Sequence, residues 1–138
     1  MQVINPEEKS MPENIEIVKK LNQAFDRRDS KAFRALLHDS YTFRGPMMQF
    51  SSADEAAAFM SQCPMRAHNE NVTFISESGR VVQAFDWKVT EPFQKTIRMC
   101  EILTLKEGKV VASELFYDSA QFPEEAKAEF EKMKAQKA

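Results

Sequence analysis

Glycine is scarce in this chain of 138 residues: there are three, at positions 45, 79 and 108. Each stands alone, so no glycine-rich phosphate loop exists, and nucleotide binding by that route is excluded. Cysteine is limited to Cys63 and Cys100, which form neither a CxxC pair nor a disulfide ladder. Histidine is limited to His38 and His68, without the spacing that sets two metal ligands on one helix face. No metal and no cofactor is expected, and the thiols read as reduced cytoplasmic ones. Charge of one sign is lacking too. Nineteen Lys and Arg stand against 21 Asp and Glu, a net charge of -2. That balance excludes the basic footprint of a nucleic-acid binder and gives no attraction to an anionic membrane. No run approaches the about 18 apolar residues of a membrane-spanning helix, and the start MQVINPEEKS has no basic-then-apolar leader. The expectation is a soluble cytoplasmic protein with a flexible arm over residues 1–11 and a single domain over residues 12–138. What the chain has in quantity is bulk: eleven Phe and eight Met.

From Pro12 to Arg27, Ile17, Val18, Leu21, Ala24 and Phe25 recur at helical spacing, which predicts an amphipathic helix. Asp29 and Ser30 can cap a second, short helix whose apolar set is Phe33, Leu36 and Leu37. Its expected end, just before Asp39, makes His38 a surface cation beside the helix C-terminus. Tyr41 to Phe43 reads as a brief strand ended by Gly45-Pro46. Ser52 followed by Glu55 is a capping box, opening a third helix with Ala56, Phe59, Met60 and Cys63 on its apolar side. The period then changes to two. Val72, Phe74 and Ser76 lead into a turn at Ser78-Gly79, and Val81, Gln83, Phe85, Trp87 and Val89 lead out of it. A second hairpin joins Thr96–Leu105 to Lys109–Tyr117 around Gly108. Residues 123–137 form an expected terminal helix with Glu124 and Glu125 in its first turn and an Ala126, Phe130, Met133 seam. Helices first and antiparallel strands afterwards predict an α+β fold, a curved antiparallel or mixed sheet covered by three N-terminal helices.

The pattern with most chemistry is TIRMCEILTL. Alternation puts Ile97, Met99, Glu101, Leu103 and Leu105 on one face, an apolar surface with one carboxyl in its middle. Such a carboxyl loses hydration, its pKa rises, and it can serve as acid, base or hydrogen-bond donor. Two blander readings stay open: Glu101 pairs with Tyr41 or Ser113, or the sheet is turned over and Glu101 meets water. Asp86 and Lys88, on the alternate face of their strand, read as a cross-strand or rim charge pair. On the last strand Val111, Ser113, Leu115 and Tyr117 share one face and Val110, Ala112, Glu114 and Phe116 the other. Both faces are apolar near the middle, so helices are expected on one and a second subunit on the other.

LNQAFDRRDSKAFRALLHDSYTFRGP, the capped third helix and LKEGKVVASELFYD in the last hairpin resemble the SnoaL-like division of the nuclear transport factor 2-like superfamily, over roughly residues 12–120. The resemblance implies a cone-shaped fold, an apolar pocket between helices and sheet, and a homodimer through the outer sheet face. Members include ketosteroid isomerases, polyketide cyclases, dehydratases, epoxide hydrolases and non-catalytic binding modules. The position of the isomerases' catalytic tyrosine falls on Leu21 and that of their general-base aspartate on Gly45, so both groups are absent. Their protonated aspartate falls on Glu101, and the late acid of the cyclases and epoxide hydrolases falls near Leu115. Steroid isomerisation and epoxide hydrolysis are therefore disfavoured. The expected site has Glu101 as acid or base, with Tyr41, His68, Ser113 and Tyr117 as hydrogen-bonding candidates. Leu21, Phe25, Phe43, Met48, Phe50 and Phe59 are the expected near walls, and Met60, Trp87, Met99, Leu103 and Leu115 complete them. A small apolar or aromatic molecule would be bound, for cofactor-independent isomerisation, cyclisation or dehydration, or simply as the ligand of a dimeric binding or scaffold module.

Overall fold

The computed structural model describes residues 11–137. The arm expected over residues 1–11 thus lies outside the described residues except for Met11, where helix α1 (Met11–Asp26) already begins. Val18, Leu21 and Ala24 form its buried face. The chain turns at Arg28, in the left-handed region at φ 59°, and the Arg28 guanidinium donates to the carbonyls of Cys63 and Met65. Helix α2 (Ser30–Ala35) is capped by Asp29, whose carboxylate accepts from the Ala32 amide at 3.0 Å.

The expected end of α2 needs correction. Leu37 belongs to strand β1 (Leu37–Arg44), which is eight residues long and not a brief segment from Tyr41. The cause is a partner distant in sequence: Val110 donates its amide to Leu36 O, and β1 runs parallel to β6 from the Leu37–Val110 pair onward. His38 is accordingly a strand residue, its Nδ1 accepting from the Ser40 amide and its Nε2 lying 3.5 Å from Glu107. After β2 (Gln49–Phe50), helix α3 (Ala53–Gln62) starts as its capping residues require. Ser52 Oγ accepts from the Glu55 amide, while the Glu55 carboxylate reaches back to the amide and hydroxyl of Ser51.

Two hairpins follow: β3 (Arg66–Glu77) with β4 (Arg80–Glu91), and β5 (Lys95–Lys106) with β6 (Lys109–Phe116). Both turn on consecutive left-handed residues, Ser78-Gly79 and Glu107-Gly108, the geometry that matches strand twist in a two-residue hairpin. A short 3₁₀ turn at Ser119–Gln121 leads to helix α4 (Glu124–Lys137). The strands form one curved, unclosed mixed sheet in the order β2-β1-β6-β5-β4-β3, antiparallel except between β1 and β6.

The core lies between the sheet's inner face and the helices. Val81, Phe85, Ile97, Leu103 and Val110 meet Val18 of α1 and Met60 of α3 in a single cluster. On β6 the expected faces need a second correction. Thr104 pairs with Ala112 but Leu105 with Val110, so Val111 is a bulge and Val110 turns inward along with Ser113. Asp86 and Lys88 do make cross-strand pairs, though not with each other: Asp86 meets Arg98 at 3.2 Å and Lys88 meets Glu70 at 3.9 Å.

Candidate functional site

The helices stand off the sheet enough to leave a cavity of about 170 Å³. Helix α1 contributes Leu21 from its buried face, with Asn22 and Phe25 beside it. Helix α3 contributes Ala56, Phe59 and Met60, again at helical spacing. Tyr41 and Phe43 enter from β1, Phe85 and Trp87 from β4, and Met99 and Glu101 from β5. Met48, Phe50, Leu115 and Tyr117 close the far wall, with Phe122 and Phe130 arriving from the C-terminal segment.

Much of the phenylalanine surplus is spent on this wall. Phe43 touches Phe50, with ring centroids 5.4 Å apart, and Phe50 touches Phe59 at 5.0 Å. The chain of rings continues through Phe130 to Phe122, which also meets Trp87 and Tyr117. Tilted, edge-on and stacked rings at these separations attract one another beyond their buried area, which favours a preorganised wall.

Glu101 is the one carboxyl among the described lining residues. It sits in register between Gln83 of β4 and Leu115 of β6, both pointing inward. Protein surrounds it, and the surface it retains faces the cavity. Its hydrogen bond comes from Gln83, whose Nε2 donates to Oε1 at 2.7 Å, and not from Tyr41 or Ser113. Burial pushes the carboxyl up to about 7, the Gln83 hydrogen bond holding back part of the rise. Tyr41 is pushed above its usual value by burial and then by the nearby Glu101 charge. Tyr117 is pushed up to about 12 by burial, against a backbone contact with Met47. Burial likewise raises the Cys63 thiol, with the Met65 backbone and Arg28 opposing. The tyrosines and the thiol therefore stay protonated at neutral pH, and Glu101 alone among these lining groups titrates there.

Three residues expected in the site are placed elsewhere. Leu103 is fully buried in the core beneath the cavity. Ser113 is buried against Tyr41 and does not line the cavity. His68 lies on β3, 2.9 Å from Glu70, in a separate polar cleft with Asp26, Arg28 and Thr90. Burial raises the Asp26 carboxyl there and His68 lowers it. Phe25 and Met65 are the partition, since both line the cleft and the cavity.

The sequence reading missed the lining residues Asn22, Asn69, Phe33, Phe85, Phe122 and Phe130, and Gln83 behind Glu101. Gln83 carried a signal: it is the polar member of an inward alternation between Val81 and Phe85. Gly45 lines the rim, where an added Cβ would stand 3.2 Å from the Phe43 ring. No carboxyl side chain fits there without moving that ring.

The SnoaL-like domain family matches residues 18–113. No curated protein matches the chain in sequence. Among solved structures, a nuclear transport factor 2-like protein of unknown function from Burkholderia pseudomallei is similar at 24% identity, covering 78% of this chain and 92% of its own, with a TM-score of 0.68. A proposed ketosteroid isomerase from Kribbella flavida is 14% identical over 83% of this chain and 84% of its own, at a TM-score of 0.71. A proposed polyketide cyclase from Xanthomonas campestris is also 14% identical, over 81% and 98%, at a TM-score of 0.72. At such identities the likeness carries the fold alone.

Proposed function

The chain belongs to the SnoaL-like domain family, and from that premise we propose that it binds a small aromatic or other apolar molecule bearing a carbonyl or hydroxyl oxygen and moves a proton on it, with Glu101 as both acid and base. The observation that carries this reading is a single carboxyl, raised to about 7, in an otherwise apolar cavity. At that value both protonation states are populated near neutral pH, the condition under which a general acid-base group works best. With one such group, the carboxyl that takes a proton must also return it. That suits an isomerisation, or a cyclisation or dehydration that passes through an enol, and requires no cofactor. Tyr41 and Tyr117 supply neutral hydroxyl donors at the cavity wall.

Size limits the substrate. A cavity of about 150 Å³ accommodates benzene, so the 170 Å³ here suits one aromatic ring with a short substituent. A four-ring steroid exceeds that volume and would extend beyond it, and the tyrosine and aspartate that the isomerases carry are replaced here by Leu21 and Gly45.

Acetophenone, benzaldehyde and 1-indanone are suitable first probes, scored by thermal shift and then by proton exchange at the carbon next to the carbonyl. Glu101→Gln should leave probe binding within a few-fold and lower exchange or turnover by about 10²- to 10⁴-fold. Equal rates in wild type and variant overturn the assignment of Glu101. The absence of a second acid also favours a non-catalytic binding module, and that reading prevails when probes bind and neither protein accelerates exchange. A second copy of the chain is proposed to cover the sheet's outer face, where Ile75 and Phe116 are exposed.

A further inference from the structure

Behind Glu101 lies a small amide network. Gln83 is 1% exposed and does not itself line the cavity; it lies behind Glu101. Its Nε2 donates to Glu101 Oε1 at 2.7 Å and to Asn22 Oδ1 at 3.3 Å, and its Oε1 accepts from Asn22 Nδ2 at 2.8 Å. Both N–H donors and the carbonyl of Gln83 are thus in use. Turning the Gln83 amide over by itself would set its carbonyl against Asn22 Oδ1 and its NH₂ against Asn22 Nδ2, two mismatches in a buried site. Asn22 comes from α1 and Gln83 from β4, so the pair also joins helix to sheet directly beneath the carboxyl.

We propose that Asn22 and Gln83 form a latch that holds an N–H toward Glu101 Oε1, so that the proton of neutral Glu101 resides on Oε2 and is presented to a carbonyl oxygen in the cavity. Asn22 and Gln83 are positioning residues, acting on the ligand through Glu101. The inference rests on the reading of Glu101 as the proton-carrying group and deepens it, by setting which oxygen donates and how readily it ionises. The other titratable groups around the cavity are Tyr41 from β1, Tyr117 after β6 and Cys63 after α3, each held in its neutral form.

The test is a carboxyl ¹³C titration of Glu-labelled protein, with Glu101→Gln to assign the resonance, in wild type, Asn22→Leu and Gln83→Leu. Gln83→Leu removes an N–H that favours the carboxylate, and the Glu101 midpoint should rise by about one pH unit. Asn22→Leu frees the Gln83 amide to turn its carbonyl toward the protonated acid, and the midpoint should again rise. With acetophenone bound, its carbonyl stretch should shift less from the free value in Asn22→Leu than in wild type. A wild-type midpoint near an ordinary carboxylate's overturns the reading of Glu101 itself. A raised wild-type midpoint that neither variant moves overturns the latch alone. If Gln83→Leu fails to fold, Asn22→Leu at the cavity wall decides the matter.

Discussion

At the scale of the residue, Glu101 links the cavity to stability. In the folded chain its carboxyl is raised to about 7 from the 4.5 of a free side chain. Between those values the folded state holds a proton that the unfolded state has released. Stability therefore falls as pH rises through this window and is unaffected by Glu101 below it; once pH passes the folded value the loss is on the order of 3 kcal/mol. Glu101→Gln, which keeps a carbonyl oxygen for the Gln83 N–H, should remove this slope. Urea denaturation at pH 5 and pH 8 measures it, and the expected result is a wild type that loses several times more stability across the interval than the variant. Asp26, also raised, contributes in the same direction to both proteins and cancels in the comparison. Equal slopes would show that Glu101 is ionised in the fold throughout. That this carboxyl faces inward was legible in TIRMCEILTL because alternation needs only a correct count of two. His68 was expected at the site, but the stretch before Val72 already belongs to β3 from Arg66, where adjacent side chains take opposite faces. Asn69 consequently reaches the cavity and His68 the neighbouring cleft.

At the scale of the element, the helices and hairpins announce themselves through caps and turns that are local in sequence. Ser52, Asp29, Gly79 and Gly108 each act within a few residues of where they stand. The length of β1 and the bulge at Val111 do not announce themselves. Leu37 joins a strand only because Val110 lies beside it, and nothing in the run Val110-Val111-Ala112 says which valine is the extra residue. Helix α4 is the element whose role matters most to the site. Ala126 and Phe130 are its buried residues, and Phe130 bridges Phe59 of α3 and Phe122 at the cavity wall. Met133 packs half-buried against the core as well, and the outer surface over residues 124–132 is mostly charged, with i,i+3 pairs such as Glu124–Lys127 that contribute only tenths of a kcal/mol each. Docking thus depends on a narrow stripe, and the helix is a cover held by few apolar contacts. Phe130→Ala should detach it: removing a buried Phe costs about 3 kcal/mol or more locally, beyond what a terminal helix with one stripe can lose. Hydrogen exchange by mass spectrometry should show residues 124–134 exchanging at free-peptide rates in the variant while β4 and β5 stay protected, with faster probe entry into the cavity. Unchanged protection of α4 would mean that contacts other than Phe130 hold it.

At the scale of the whole molecule, the described residues cover the sheet on its inner side only. The outward residues run contiguously across the ladder: Ile75 opposes Val82, Val82 opposes Ile102, Ala84 opposes Cys100 and Cys100 opposes Phe116. Ile75 is 62% exposed and Phe116 46%, the two large apolar side chains most open to water among the described residues. Two ion pairs lie along this strip, Asp86 with Arg98 and Glu114 with Arg44, so a second surface closing over them would not desolvate those four ions alone. A net charge of -2 adds little repulsion between copies. A standard interface removes about 800 Å² from each partner, a tenth of the 8279 Å² this chain exposes, and a sheet face of four strands can supply it. A two-fold axis through the strip would bring each Phe116 against the apolar strip of the other copy, the self-complementary arrangement of an isologous dimer. Sedimentation equilibrium at micromolar concentration should therefore give twice the chain mass for the wild type and the chain mass for Phe116→Asp. The Glu101 titration should be unchanged in Phe116→Asp, because Phe116 and Glu101 lie on opposite faces of the sheet. A wild type that sediments as a monomer at every concentration tested leaves the strip to another partner. A variant that sediments as a dimer moves the interface off this face.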